Sequence, residues 1–139
     1  MVIRLIYVSS ATRRLDEDEL VFLLNQARSR NERQQVTGLL LHAGGNFIQV
    51  LEGSEEDVEA IYHSIQKDER NKGHIVIEKG PISERAFPHW TMGFEDLTPD
   101  RKAKVKGYSE FLNREMKPDE ILNNADYLVS ILYEFKKNI

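Results

Sequence analysis

Three polar side chains occupy positions where the surrounding pattern favours apolar ones. In the segment FIQVLEG, Gln49 shares a strand face with Phe47 and Leu51, because successive side chains of a strand point to opposite faces. Tyr7 lies in the β-rich segment VIRLIYVS, and Asn31 lies one turn beyond an apolar helical stripe. Each side chain alone also fits a protein core. Together, a phenol and two amides beside an apolar slot favour a flat heteroaromatic ligand with carbonyls and ring nitrogens along one edge.

Other kinds of reactive site have little support in the sequence. The chain has no cysteine, which excludes disulfides, thiolate zinc sites, iron-sulfur clusters and cysteine nucleophiles. Ser9 and Ser10 follow a strand but lack the flanking glycines of a nucleophile elbow. The four histidines do not have metal-site spacing, either with one another or with carboxylates; they are His42, His63, His74 and His89. We therefore expect neither a metal site nor hydrolase chemistry.

The composition restricts the class of protein and its partners. With 139 residues the chain fits one domain, and its formal net charge of -4 argues against a surface that neutralises nucleic-acid phosphates. No apolar run reaches transmembrane length, and the amino terminus lacks the apolar region and cleavage site of a signal peptide. We expect a soluble, cytoplasmic protein whose partners are small molecules and proteins, with no nucleic-acid or membrane partner.

The positions of the three polar side chains depend on a predicted α+β fold with the element order β-α-β-β-α-β-β. Strand patterns include VIRLIYVS, GHIVIEKGPI and HWTMGFED, and VTGLLLHAGGNFIQVLEG indicates two strands around a Gly-Gly-Asn turn. One helix pattern begins with acids in its first turn, and the other has Ser54 and Asp57 at cap spacing. Right-handed crossovers would place both helices on one face of a mixed five-stranded sheet, which is a ferredoxin-like arrangement.

The pattern is helical again from Thr98 onward. The segments TPDRKAKVKGYSEFLNREM and DEILNNADYLVSILYEFKK predict two carboxy-terminal helices that cover the other face of the sheet. Apolar residues near heptad spacing form a stripe on the second helix, namely Ile121, Ala125, Leu128, Leu132 and Phe135. Tyr127 and Ile131 lie beside this stripe and give the helix more apolar breadth than one sheet face needs. The pair is therefore either a plain lid or a surface for signalling and self-association.

Four motifs, in this order and spacing, resemble those of the BLUF domains, which are flavin-based blue-light sensors: LIYVSSATR, RNERQQVTGLLLHAGGNFIQVLEG, IQKDERN and FPHWTMGFED. The resemblance implies a photosensory domain over residues 1–97 and a helical extension over 98–139 of the same globular unit. The family's short members carry no output enzyme and act on partner proteins. The resemblance thus implies a sensor that is not an enzyme, with a downstream signalling protein as partner and a dimer or higher homo-oligomer.

The resemblance also implies roles for individual residues. Tyr7 corresponds to the photoactive tyrosine, Gln49 to the switching glutamine, and Asn31 to the asparagine that binds the flavin ring. Trp90 and Met92 correspond to a tryptophan-x-methionine strand that relays the signal. The implied cofactor is FAD, with FMN or riboflavin as alternatives, and the implied cofactor-binding residues are Tyr7, Leu23, Ala27, Arg30, Asn31, Phe47, Gln49, Ile65, Asp68 and Arg70. Ala27 falls where some members have a serine, and Asn71 where some have a histidine.

The implied mechanism is a light-induced hydrogen-bond rearrangement of Tyr7 and Gln49 around a non-covalently bound oxidised flavin. It fits the residue types, because a phenol can yield an electron and a proton and an amide can act as both donor and acceptor. Two alternatives remain at this stage. One is a small ferredoxin-like enzyme of the acyl-phosphate hydrolase type, with Arg13 and Arg14 near the first helix start. The other is a regulatory domain that binds a ligand without responding to light.

Overall fold

The computed structural model of the chain describes residues 1–13, 16–43, 45–88, 93–96, 118–123 and 125–137. Trp90, Met92 and the first predicted carboxy-terminal helix lie outside these residues. The described part contains five strands and four helices, in the order β1 (Val2–Ala11), α1 (Glu17–Arg33), β2 (Thr37–Ala43), β3 (Asn46–Ser54), α2 (Glu55–Gln66), β4 (Asn71–Pro81), β5 (Gly93–Asp96), α3 (Pro118–Asn123) and α4 (Ala125–Lys137).

The strands form one mixed sheet in the order β4-β1-β3-β2-β5. β1 is antiparallel to both β3 and β4, β2 is antiparallel to β3, and β5 is parallel to β2. The hairpin between β2 and β3 turns at Gly45, whose φ of 83° suits glycine. The predicted α+β fold of ferredoxin-like type is confirmed.

Side-chain caps fix where α1 and α2 begin. Asp16 and Glu19 form a reciprocal capping box, in which the Asp16 carboxylate accepts from the Glu19 N–H at 2.8 Å. Ser54 caps α2 by accepting from the Asp57 N–H at 3.2 Å, as the sequence predicts. α2 thus follows β3 directly, and both helices cover the same sheet face.

The sheet separates two hydrophobic cores, because side chains alternate between its faces. We call the first the helix-side core, since it packs the sheet against α1 and α2; it includes Leu5, Tyr7, Leu24, Leu51 and Ile61. We call the second the carboxy-terminal core, since it packs the opposite face against α3 and α4; it includes Ile6, Val50, Phe87, Leu128 and Ile131. The second predicted carboxy-terminal segment therefore packs against this face, and the first predicted segment lies outside the described residues.

Most of the last predicted helix lies in the described residues, as α3 and α4 on either side of residue 124. Ile131 is only 1% exposed and Tyr127 packs against the carboxy-terminal core, so the extra apolar breadth read from the sequence is largely used by that core. Leu122 on α3 is the exception, because it is 57% exposed. The side chain of Phe135 lies outside the described part of the chain.

We predict that Gly38→Ala lowers the free energy of unfolding by about 3 kcal/mol, because overpacking against backbone must displace a strand. A Cβ at Gly38 would lie 1.9 Å from the backbone oxygen of Val50. The matched control is Gly80→Ala on β4, where a Cβ would meet no atom within 4 Å. Urea unfolding followed by circular dichroism compares the two, and equal stabilities would contradict the prediction.

Candidate functional site

Tyr7 and Gln49 form a buried hydrogen-bonded pair in the middle of the sheet. They are direct cross-strand partners on β1 and β3, and each is 3% exposed. The Tyr7 hydroxyl donates to Oε1 of Gln49. The amide nitrogen of Gln49 is consequently at the other end of the group, turned away from the phenol. Register therefore brings together two of the three side chains that the sequence singles out.

The surroundings of Tyr7 keep its phenol protonated. Burial raises the pKa of Tyr7 far above its ordinary value, and the nearby Arg30 guanidinium lowers it by a smaller amount. The Tyr7 ring packs 5.1 Å from the ring of Tyr62 and 5.7 Å from that of His74, measured between centroids. Burial also lowers the pKa of His74, which favours its neutral form. Tyr7 is thus a neutral hydrogen-bond donor over the whole physiological pH range.

A cavity of about 560 Å³ lies over this pair, between the sheet, α1 and the end of α2. This volume is within the usual range for small-molecule sites. Its walls combine apolar side chains with a few polar and charged groups. The lining residues are Tyr7, Ser9, Phe22, Leu23, Asn25, Gln26, Ala27, Ser29, Arg30, Arg33, Leu40, Phe47, Gln49, Ile65, Asp68, Arg70 and Asn71.

All of the residues predicted to bind the cofactor line this cavity except Asn31. Asn31 is fully buried at the end of α1, where its backbone oxygen accepts from the Val36 N–H at 2.9 Å. Its side-chain oxygen accepts from Nε of the neighbouring Arg30 at 3.4 Å. In this arrangement Asn31 holds Arg30 and closes the helix end, and its predicted contact with a ligand ring stays a prediction.

The charged part of the lining is dominated by cations. Arg70 and Asp68 form an ion pair in which Nε of Arg70 donates to Oδ1 of Asp68 at 2.9 Å. This hydrogen bond lowers the pKa of Asp68 and raises that of Arg70. Arg30 and Arg33 add two further guanidinium groups along α1. Arginines in this number suit a ligand that carries phosphate groups.

Sequence reasoning did not include several of the lining residues. Phe22, Gln26, Ser29 and Arg33 follow one another at intervals of three or four positions, so they form a second stripe on α1 beside the apolar one. The sequence alone shows this spacing, so the stripe could have been predicted. Ser9 could also have been predicted as a site residue, because it lies two residues after Tyr7 on β1 and therefore on the same face.

Ser9 places a buried hydroxyl in the cavity wall, where a polar ligand atom could bind it. It is 1% exposed, and within the described residues its hydroxyl is the buried side-chain polar atom that has no hydrogen-bond partner. Buried hydroxyls are normally hydrogen-bonded, because burial without a partner is unfavourable. The apolar walls, the Tyr7 and Gln49 pair, the Ser9 hydroxyl and the arginines together fit a flat ring with a polar edge and a phosphate chain.

Two other features are absent from the described part of the chain. Within those residues no group of three or more histidine, cysteine, aspartate or glutamate side chains could hold a metal ion. None of the described helices is long and apolar enough to span a membrane.

Comparisons with known proteins agree with this site. The family model described as "Sensors of blue-light using FAD", BLUF, matches residues 2–93. A photoactivated adenylate cyclase subunit beta-like protein of Euglena gracilis, FB, is 36% identical over 89 residues, which are 63% of this chain and 10% of that protein. The chain thus spans about a tenth of the length of the curated relatives that it matches first.

Solved structures give the same result. The photo-activated state of BlsA is 27% identical with a TM-score of 0.75, and the match covers 98% of this chain and 95% of that one. Klebsiella pneumoniae BlrP1 with FMN and cyclic diGMP is 34% identical with a TM-score of 0.65, over 70% of this chain and 26% of that one. The dark-state structure of BlrB, at 22% identity and a TM-score of 0.79 over 99% of this chain and 97% of that one, supports the fold.

The fold and the site thus define a flavin-binding sensor domain. The chain belongs to the BLUF family of blue-light sensors that use FAD. The lining described above fits this cofactor, since it offers apolar walls to a flavin ring, polar groups to the ring edge and arginines to the phosphates.

We predict that Tyr7→Phe makes stability less sensitive to alkaline pH. Above about pH 10 the unfolded chain loses the Tyr7 proton while the folded chain retains it, so the wild type loses up to about 1.4 kcal/mol per pH unit through this group. The phenylalanine variant lacks this loss. Urea unfolding from pH 8 to pH 11 measures it: the two stability curves should run parallel below about pH 9 and converge above about pH 10. Curves that stay parallel throughout would contradict a raised pKa of Tyr7.

Proposed function

We propose that the hydrogen-bonded pair of Tyr7 and Gln49 is the light-responsive element of this sensor, and that the chain signals without being an enzyme. The observation that supports this most directly is the buried hydrogen bond between the two side chains at the wall of the cavity. An amide is one of the few side-chain groups that can exchange a donor for an acceptor by a half-turn. A pair of this kind can therefore hold two states with nearly the same shape.

When bound, the flavin supplies blue-light absorption and an excited ring that is a strong oxidant. The protein residues provide the rest. Tyr7 is kept neutral by burial, so it carries a proton that it can share with Gln49. Gln49 presents its oxygen to Tyr7 in the structure, and a half-turn would present its nitrogen instead. After that half-turn the Tyr7 oxygen would accept a hydrogen bond, and the Gln49 oxygen would point to the opposite side.

The energy of this change limits how the signal can act. Exchanging one or two hydrogen bonds supplies only about 1 to 3 kcal/mol. Such an amount shifts an equilibrium between two states that already have similar free energies. We infer that the output is such a poised equilibrium.

We propose the following division of the remaining residues. Arg30, Arg70 and Asp68 hold the phosphate chain, with the Asp68 carboxylate fixing the orientation of Arg70. Leu23, Ala27, Phe47 and Ile65 form the apolar walls, and Asn31 binds the ring or holds Arg30 for it. Trp90 and Met92, which precede β5 in the sequence, relay the signal. FMN or riboflavin would make the same ring contacts as FAD.

We also propose a sensor domain over residues 1–97 with a helical extension over 98–139 that passes the signal to a partner protein or to a second copy of the chain. The relatives named photoactivated adenylate cyclases support a partner, because in them the matching segment is a small part of a longer protein. Action in the cytoplasm remains a prediction from the sequence.

An absorption spectrum tests whether the protein holds a flavin, on which the whole proposal rests. A protein that cannot be reconstituted with flavin would favour a light-independent regulatory domain.

We predict that Gln49→Leu retains flavin but abolishes the light-induced red shift of its spectrum. Leucine keeps a similar volume and removes both the donor and the acceptor of the amide. The matched control is Gln26→Leu, which makes the same change at an exposed position of the cavity lining on α1. Spectra before and after blue light measure the shift, and a red shift of normal size in Gln49→Leu would refute the switching role.

We predict that Leu122→Gln removes any light-dependent change in molecular mass while leaving the red shift intact. Leu122 is 57% exposed on α3, so replacing it leaves the carboxy-terminal core unchanged. Val21→Gln on α1 is the control, because Val21 is similarly exposed at 51% but lies on the other side of the sheet. Light scattering of dark and illuminated protein gives the mass. An unchanged response in Leu122→Gln would place self-association elsewhere.

A further inference from the structure

A buried carboxylate lies on the sheet face opposite the ligand cavity. Glu52 of β3 is 0% exposed, and it faces away from Gln49 because the two positions are an odd number of residues apart. Its two oxygens accept from the backbone N–H of Ala86 at 3.0 Å and from that of Phe87 at 2.7 Å. Both amides belong to the connection that follows β4, so this carboxylate fixes a loop to a central strand.

Arg4 balances the charge of Glu52. It is the direct cross-strand partner on β1, and its Nε and Nη2 both lie 2.9 Å from Oε2 of Glu52. A carboxylate remains charged in a protein interior only when such partners replace its lost hydration. Bonds between charged groups and backbone N–H groups are also short and directional. Glu52 therefore holds its partners in one arrangement.

A second contact fixes the same loop. Nη1 of Arg85 donates to Oγ1 of Thr37 at 3.1 Å, and Thr37 is the β2 partner of Glu52 in the sheet. Residues 85–87, which we call the anchored segment, thus contact β2 and β3 side by side. The segment is positioned by the central strands rather than by its immediate neighbours in sequence.

The anchored segment also reaches the helical layer. Phe87 is 2% exposed and belongs to the carboxy-terminal core, together with Ile121 of α3 and Leu128 of α4. Close-packed interiors transmit small displacements, since side chains in them have few alternative positions. A movement of β3 would therefore reach α3 and α4 through the Glu52 carboxylate and the Phe87 ring, in addition to the route through Val50 of β3, which belongs to the same core.

We propose that Glu52 is a positioning residue that couples β3, the strand that carries Gln49, to the carboxy-terminal helices. Its carboxylate fixes the anchored segment, and Phe87 then fixes α3 and α4. The light signal that Glu52 would transmit rests on the proposed function of Gln49, whereas the contact of Glu52 with the anchored segment does not. The substitution Glu52→Gln tests the coupling, because glutamine keeps the shape but loses the charge and directs N–H groups toward other donors.

The first measurement is hydrogen exchange of the full, flavin-loaded chain in the dark, resolved at single amides by NMR. In Glu52→Gln we expect the amides of Ala86 and Phe87 to exchange about 10- to 150-fold faster, the effect of losing a charged hydrogen-bond acceptor, and the amides of α3 and α4 to exchange faster as well. Glu78→Gln is the control, because the Glu78 side chain is 43% exposed and its Oε2 lies 3.8 Å from Nη1 of the same Arg4. Unchanged exchange in α3 and α4 would overturn the proposal.

The second measurement compares dark and illuminated protein. In the wild type and in Glu78→Gln we expect a red shift and a light-dependent change in the exchange of α3 and α4. In Glu52→Gln we expect the red shift to persist and the change in the helices to be reduced. A change of equal size in Glu52→Gln, or none in a red-shifting wild type, would overturn the coupling. If the wild type shows no red shift, only the proposed function is contradicted. The dark measurement then still tests whether Glu52 couples the anchored segment to α3 and α4.

A second variant covers the case in which Glu52→Gln does not fold. Phe87→Leu leaves the carboxylate contacts in place and changes only the side chain by which the anchored segment joins the carboxy-terminal core. We expect the amides of the anchored segment to stay protected while α3 and α4 exchange faster and respond less to light. Helices that exchange as in the wild type would overturn the role of Phe87.

Discussion

The antiparallel register of β1 and β3 determines most of what this molecule can do. It places Tyr7 opposite Gln49 on the cavity face and Arg4 opposite Glu52 on the other face. Both pairs depend on the same alignment of the two strands, and a slip of either strand by one residue would move its member of each pair to the wrong face. The apolar residues of both cores oppose such a slip, because each strand is buried on its two sides. The ordinary packing of the sheet therefore keeps Tyr7 and Gln49 opposite each other.

Much of the fold could be predicted because local signals and the global pattern agree. The cap at Ser54 marks the start of α2, and the residues predicted to share a face with Gln49 do so in the structure. Most of the candidate site followed from a resemblance, and the structure groups those residues around one cavity. The second stripe on α1 was missed because polar residues at helical spacing usually indicate only a solvated face.

Other features could not be read from the sequence, because they depend on contacts between distant segments. Glu52 looks like a surface residue in the segment FIQVLEG, yet it is buried, since Arg4 and two backbone amides from beyond β4 surround it. Ile131 looks like part of a free surface, yet it is in the core. Asn31 follows an apolar stripe, but helical spacing alone does not show whether its amide faces a ligand or the end of its own helix.

In the proposed sensor the ligand and the carboxy-terminal helices lie on opposite faces of the sheet, so a change worth one or two hydrogen bonds has to cross a rigid layer. The side chains of a single strand offer a solution, because alternate residues of that strand are anchored in both cores. β3 meets this requirement directly, with Gln49 bonded to Tyr7 on one face and Glu52 bonded to the loop of Phe87 on the other. In the proposed coupling, a small movement of this strand would displace side chains on both faces of the sheet at once.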